Sequence, residues 1–206
     1  MNYFEVLVLG GGLIGAILWM LSIGTVAIIV QYFIAIRRSN VLPDDLREEA
    51  QELLEAKSYR KAIELFGEDP SFLGRIGHAA LTEAPHGYSA MEHAMESTAD
   101  EHTVKLLRHI EWLNLIGNIC PMLGLLGTVW GMIRAFFDIV AAGGGTPAPG
   151  QLAGSIGIAL VTTLLGLAVA IPALAVYSIM RNRIDALTSE AMVVCQDLLA
   201  GFRPKR

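Results

Sequence analysis

The sequence predicts an all-α integral membrane protein, with three transmembrane helices and a helical cytoplasmic region, that assembles with copies of itself. Three observations carry this reading. Of 206 residues, 53% are hydrophobic and only 17% are charged, which is too apolar for an ordinary soluble domain of this length. The apolar residues are gathered into three long runs. Those runs lack the charge every few residues that marks the exposed face of a soluble amphipathic helix.

The first run covers residues 6–36 without a charge, more than the roughly 20 residues needed to cross a bilayer. Glu5 precedes it and Arg37-Arg38 follows it, the reverse of the charge order of a cleavable signal peptide. Residues 1–36 are therefore read as an external N-terminus and span one. Span two is expected at residues 112–140 and span three at residues 152–180. The short uncharged segment 141–151, Ala-Ala-Gly-Gly-Gly-Thr-Pro-Ala-Pro-Gly-Gln, joins them as an external turn. At about 1.5 Å per residue, a helix over 112–140 is roughly 43 Å long. Span two therefore protrudes beyond the hydrocarbon, at its cytoplasmic end.

Orientation follows from the cations, because Lys and Arg are retained on the cytoplasmic side of short loops. Arg37, Arg38, Arg47, Lys57, Arg60, Lys61, Arg75, Lys105 and Arg108 lie between spans one and two, and Arg181, Arg183, Arg203, Lys205 and Arg206 follow span three. The N-terminus and the turn are thus expected outside, with region 37–111 and tail 181–206 in the cytoplasm.

Within 37–111, Leu46, Ala50, Leu53 and Leu54, then Tyr59, Ala62, Ile63 and Phe66, recur at helical spacing and predict two short amphipathic helices. Asp44 after Pro43 reads as a first-turn acid or cap, and the stretch from Gly67 to Pro70 as a break. A later helix from about Met91 runs into span two. His86, His93 and His109 share a face, but their spacing, like that of His78 and His102, matches neither HExxH nor a Cys/His zinc pattern. No metal or other cofactor is expected.

Inside the spans the informative residues are small or polar. Gly117, Pro121, Gly124, Thr128 and Gly131 recur at spacings near three and four in span two. Ser155, Ala159, Thr162, Thr163, Gly166, Ala170 and Ala173 do so in span three. Small faces let membrane helices approach closely, which assigns Gly124, Gly127, Gly131 and Gly166, together with Pro172, to helix packing in the spans. Pro121 and Pro172 release backbone carbonyls and bend their helices. A threonine can bond a carbonyl of its own helix, so Thr128, Thr162 and Thr163 divide between packing and function. Asp, Glu, His and Lys are absent from the span interiors, so the chain alone cannot relay a proton through titrating side chains. Arg134, with Asp138 at i+4, reads as a snorkelling, locally paired charge.

Other function classes lack their residues. The net charge of −5 comes with no basic stripe, which argues against nucleic-acid binding. Gly10 to Gly12 lack the Gly-Lys-Ser/Thr ending of a phosphate loop, and there is no GxSxG elbow or Cys/His nucleophile arrangement, so no enzyme is expected. Cys120 and Cys195 read as reduced and structural.

The segment Leu123-Gly124-Leu125-Leu126-Gly127-Thr128-Val129-Trp130-Gly131-Met132-Ile133, together with Ala159-Leu160-Val161-Thr162-Thr163-Leu164-Leu165-Gly166-Leu167-Ala168-Val169-Ala170-Ile171-Pro172, resembles the MotA/TolQ/ExbB proton-channel family. The three-span layout is closer to ExbB and TolQ than to the four-span flagellar stator. The resemblance implies a homopentamer in the bacterial inner membrane whose spans two and three line a pore. Two copies of an ExbD- or TolR-like single-span partner would occupy that pore and supply a membrane aspartate. Thr128 and Thr163 match the family's pore-lining threonines, and Thr162 adjoins them in the ion path. Proton flow down the proton motive force would be coupled to movement, through a TonB-like force transmitter, that drives transport or envelope processes. Two positions depart from the pattern. Ile158 stands where many ExbB-type chains carry a glutamate, and Arg134 where related chains often have an uncharged polar residue. Two other readings remain open: a non-conducting structural membrane scaffold, and a secondary transporter, which three spans without an internal repeat disfavour.

Overall fold

In a computed structural model of the chain, the described residues are 12–141 and 149–203, and their regular elements are helical. The expected start of span one at residues 6–11, most of the expected turn (142–148), and Lys205 and Arg206 lie outside the described residues. In chain order the α-helices are α1 (Gly12–Ala35), α2 (Arg38–Val41), α3 (Asp44–Glu55), α4 (Tyr59–Glu68), α5 (Phe72–Thr82), α6 (Tyr88–Ala141) and α7 (Pro149–Leu198). Single 3-10 turns lie at Ala84–His86 and Leu199–Phe202. Helices α1, α6 and α7 are long and apolar enough to cross a membrane.

The chain forms two compact units, one of Met1–Gln31 with Glu111–Ser178, the other of Tyr32–Ile110 with Ile179–Arg206. In the first, Leu18 of α1 packs with Cys120 of α6 and Leu165, Val169 and Ala170 of α7, and Ile14, Leu21, Ile116, Leu123 and Val161 surround them. The buried Thr25 hydroxyl donates to the Leu21 carbonyl at 2.7 Å, so its polar atom is satisfied within its own helix. The outward faces are apolar too: Leu13, Met20 and Ile23 of α1, Met122, Leu125, Phe136 and Phe137 of α6, and Leu160 and Ile171 of α7 are exposed. Helices whose backbone bonds are satisfied internally and whose outer faces are hydrocarbon are what a bilayer admits. Helix α6 runs on through Pro121 and α7 through Pro172.

The second unit is tied by polar contacts as well as by a core. Gly77 of α5 lies against the Phe66 ring of α4, where an added Cβ would come within 2.8 Å of Cδ1. Ser71 caps α5 by accepting from the Gly74 amide at 3.0 Å, and its own amide donates to Asp69 Oδ1 at 2.7 Å. The Asn40 side chain donates to the Ile34 and Ala35 carbonyls and so closes the C-terminus of α1. The Arg38 guanidinium donates to Glu190 Oε1 and to Asp44 Oδ2, each at 2.9 Å. The hydrogen bond to Glu190 and the charge of Asp44 hold Arg38 above even its usual high pKa. The Tyr32 hydroxyl donates to the His109 carbonyl. At the C-terminal end the Phe202 ring lies 5.1 Å from that of Tyr59, and Arg203 Nε donates to the Tyr88 hydroxyl at 3.0 Å.

Helices α3 and α4 are the two amphipathic helices expected, with Asp44 in the first turn of α3 rather than at its cap, which is Pro43. The segment 69–71 breaks the chain between α4 and α5. Helix α5 goes beyond the sequence reading, because Gly74 and Gly77 weaken helix propensity over its length. The helix leading into span two begins at Tyr88, three residues before Met91. Beyond residue 180, where the sequence suggests only a tail, α7 continues as helix to Leu198. Its buried Ile184, Leu187, Ala191 and Cys195 recur every three or four residues, so burial along one face accounts for it.

Helix α3 ends with the Lys57 amide donating to the Leu54 carbonyl and the Ser58 amide to the Leu53 carbonyl, the paired closure of a Schellman motif. Lys57 takes a φ of 56°, the left-handed region that this closure normally reserves for glycine. Lys57→Gly is therefore expected to stabilise the second unit by up to about 1 kcal/mol, seen as a higher thermal unfolding midpoint. An unchanged or lower midpoint would show that the lysine side chain compensates for its strain.

Candidate functional site

The candidate site is the seam between α6 and α7 in the first unit. In this unit the buried positions on α6 are Leu113, Gly117, Cys120, Gly124, Gly127, Gly131 and Ala135, each three or four residues from the next. Steps of three and four residues stay close to the 3.6-residue turn, so these positions form one stripe along the helix. Below Leu113 this stripe holds nothing larger than cysteine. Helix α7 answers with buried Ala159, Thr162, Gly166, Val169, Ala170 and Ala173.

The approach is close enough for backbone to touch backbone. A Cβ on Gly166 would lie 2.5 Å from the Cys120 carbonyl oxygen, and one on Gly124 would lie 3.0 Å from Thr163 Cα. A Cβ on Gly131 would lie 2.7 Å from that of Ala159, one on Gly117 would lie 2.5 Å from Leu174 Cγ, and one on Gly127 would run into the Thr162 hydroxyl. As α6 advances through 117, 124, 127 and 131, the partners on α7 recede through 174, 163, 162 and 159, so the helices pack antiparallel.

The three threonines sit differently on this seam. Thr162 is 1% exposed, and its Oγ1 donates to the Ala159 carbonyl at 2.8 Å, with Gly124 O at 3.5 Å. Thr163 is half-buried at the seam's edge, and its Oγ1 donates across to the Gly124 carbonyl at 3.1 Å. Thr128 is half-buried, and its Oγ1 donates to the Leu125 carbonyl of its own helix at 2.7 Å. In α-helical geometry the carbonyl of residue 124 also accepts from the amide of residue 128, so Gly124 links Thr163 to the turn that carries Thr128. Of the sequence-assigned packing residues, Gly124, Gly127, Gly131 and Gly166 meet on the seam, whereas Pro172 is exposed on α7. Pro121 and Thr128, grouped by spacing with the glycines, are only half-buried.

At the end of the seam towards Ala141 the expected Arg134–Asp138 pair does not form. Asp138 Oδ2 accepts instead from Ser155 Oγ of α7 at 3.1 Å, and the Arg134 side chain is exposed. A hydroxyl brought alongside by the neighbouring helix satisfies the carboxylate without bending a long side chain back along its own turn. Ile158 is half-buried and lines a cleft together with Arg134, Ser155 and Thr162.

At the other end of the membrane segment lies a polar ladder that hydropathy alone concealed. Asn118 Nδ2 donates to the Asn114 carbonyl at 2.7 Å and to Asn114 Oδ1 at 2.9 Å. Asn114 Nδ2 donates to Glu111 Oε1 at 2.6 Å, and the Tyr177 hydroxyl to Glu111 Oε2 at 3.3 Å. Positions 111, 114, 118, 121, 125 and 128 step by three and four, so the ladder and Thr128 share a helix face. The signal was two asparagines inside an apolar run. Chemically the seam offers oxygen atoms from hydroxyls and carbonyls. Its threonines and glycines bring no group that titrates near neutral pH.

The sequence profile of the MotA/TolQ/ExbB proton channel family matches residues 68–192, more than half of the chain. Among curated proteins, an ExbB-like biopolymer transport protein of Synechocystis sp. is 46% identical over 88 residues, 42% of this chain and 35% of the relative. An ExbB homologue of Methanothermobacter thermautotrophicus is 34% identical over 134 residues, 65% of this chain and 47% of the relative. A biopolymer transport protein ExbB of Neisseria gonorrhoeae is 41% identical over 83 residues, 40% of this chain and 37% of the relative. The chain thus spans less than half the length of each of these relatives.

The seam geometry predicts a graded glycine series. Gly166→Ala drives a Cβ into the Cys120 backbone and Gly124→Ala one into that of Thr163, each expected to cost about 1–3 kcal/mol. Gly157→Ala meets nothing within 4 Å and is expected to be neutral, or to stabilise by up to about 1 kcal/mol through helix propensity. Thermal midpoints of the detergent-purified variants check the order. Equal midpoints for all three would refute the close approach.

Proposed function

We propose, from the premise that this chain belongs to the MotA/TolQ/ExbB proton channel family, that it is the stator-like proton-channel subunit of an inner-membrane energy-transducing complex. That family comprises channel and transport components, not enzymes. In this reading the chain forms a homopentamer and works with an ExbD/TolR-like single-span partner. A TonB-like protein transmits the resulting force, so that the proton motive force drives transport or envelope processes. Residues 112–140 and 152–180 are the pore-lining spans, with span one within 1–36. The turn 141–151 and the N-terminus face the periplasm, and 37–111 and 181–206 face the cytoplasm. Thr128, Thr163 and Thr162 contribute the oxygen lining of the ion path, and the partner brings the titrating acid.

The observation that carries this reading is that the family match spans residues 68–192 and so contains the whole oxygen-bearing seam. The ladder of Glu111, Asn114 and Asn118 supports it, because it extends hydrogen-bonding groups along the face that carries Thr128. A second reading, a non-conducting scaffold, draws on the finding that each of the three hydroxyls already donates to a backbone carbonyl.

Proton uptake into liposomes holding the chain with its single-span partner separates the two. Thr128→Val and Thr163→Val, at unchanged assembly, are each expected to lower flux roughly tenfold, the rate equivalent of about 1.4 kcal/mol, while Thr163→Ser retains most of it. Full flux in both valine variants would reduce the hydroxyls to packing and favour the scaffold.

A further inference from the structure

A cleft of about 430 Å³ opens on the first unit between α1, α6 and α7, within the size range of small-ligand sites. Its walls include Ile14, Trp130, Ile158 and the Cβ-less Gly131, and among the described residues Arg134 is its one charged lining residue. Leu13 and Trp130 at its margin are exposed, so the cleft faces whatever surrounds the helices.

The guanidinium sets the problem that this cleft must solve. A cation on a membrane-spanning helix needs an anion or water. The carboxylate one turn away is already engaged by Ser155 at 3.1 Å, and no other acid stands within ion-pair distance of Arg134 among the described residues. The wall that could have carried an acid is hydrocarbon at Ile158. Arg134 lies seven residues, about 10 Å, from the end of α6 at Ala141, a depth from which an arginine reaches the headgroup level by snorkelling.

We propose that this cleft seats a glycerophospholipid, its phosphate held by Arg134 and one acyl chain lying along Ile14, Trp130 and Ile158. Guanidinium recognises phosphate through paired N–H donors, and basic pockets between membrane helices bind phospholipid headgroups by this means. A ligand both anionic and apolar fits a site whose walls are mostly apolar, with one cation and the Ser155 and Thr162 hydroxyls among its described lining residues. A free anion leaves those walls wetted, and a neutral lipid leaves the cation unanswered. The site requires only that the helices lie in a bilayer, not that the protein conducts ions.

The test is native mass spectrometry of the purified full-length protein in its assembled state, with dioleoyl phosphatidylglycerol, dioleoyl phosphatidylcholine, dioleoylglycerol or glycerol 3-phosphate added in turn. Both phospholipids are expected to be retained, and dioleoylglycerol and glycerol 3-phosphate are not. Arg134→Gln, and Ile158→Trp, which fills the cleft, are each expected to lower phospholipid retention about tenfold at unchanged subunit stoichiometry. Undiminished retention in Arg134→Gln overturns the proposal, as does retention of dioleoylglycerol equal to that of the phospholipids. Glycerol 3-phosphate binding as well as lipid overturns it in favour of a free-anion site. Loss of assembly in Arg134→Gln overturns it in favour of an ion pair with a neighbouring protein chain.

Discussion

The contact between α6 and α7 along a stripe without side chains is the constraint on which the rest of the first unit depends. Two helices in hydrocarbon gain nothing by hiding apolar surface from one another, since the lipid is as apolar as the partner. They hold by dispersion, which falls steeply with separation. The stripe Gly117, Gly124, Gly127 and Gly131 removes the atoms that would keep the backbones apart. Once the Gly166 position sits on the Cys120 carbonyl, the antiparallel register is set. That register brings Ser155 to Asp138 and Thr163 to the carbonyl of Gly124. The polar bonds follow from the apolar fit, not the reverse.

The two ends of this seam differ in kind. Towards Ala141 the polar groups are a carboxylate, a serine and an exposed guanidinium. Towards Glu111 they are amides in series with a carboxylate and a phenol. Between them lie hydroxyls and backbone oxygens. A path across the unit would therefore meet charge only near its mouths. The proposed function requires this arrangement, because there a partner supplies the titrating group for the middle.

Much of this was legible in the sequence. Uninterrupted apolar runs longer than the bilayer is thick admit few structures besides spanning helices, and the glycines at 117, 124 and 131 announce a face by their sevenfold spacing. Other features depended on what a neighbour supplies. Spacing along one helix pairs Arg134 with Asp138, but it says nothing about Ser155, 17 residues further on. The same limit hid the difference between Thr162 and Thr163, which are adjacent in the chain yet respectively buried and at the edge. Helix α5 is held by burial of Phe72, Leu73, Ile76 and Leu81 in spite of its glycines, a tertiary effect that overrides local propensity. Lys57 shows the converse, a residue of ordinary conformation placed where the chain's reversal calls for glycine.

The hydroxyls of Thr128, Thr162 and Thr163 have one more consequence. A carbonyl oxygen only accepts, so in each bond the threonine has committed its single hydrogen to the backbone. What remains on each Oγ1 is lone pairs. The half-buried Thr128 and Thr163 therefore present acceptor-only oxygens to whatever approaches them. A visitor must bring a hydrogen or a positive charge, as water, hydronium, a metal cation or a neutral carboxylic acid does, whereas a bare carboxylate finds electron density facing electron density. Such a surface raises the proton affinity of any acid held against it, and discharging that acid requires carrying it away.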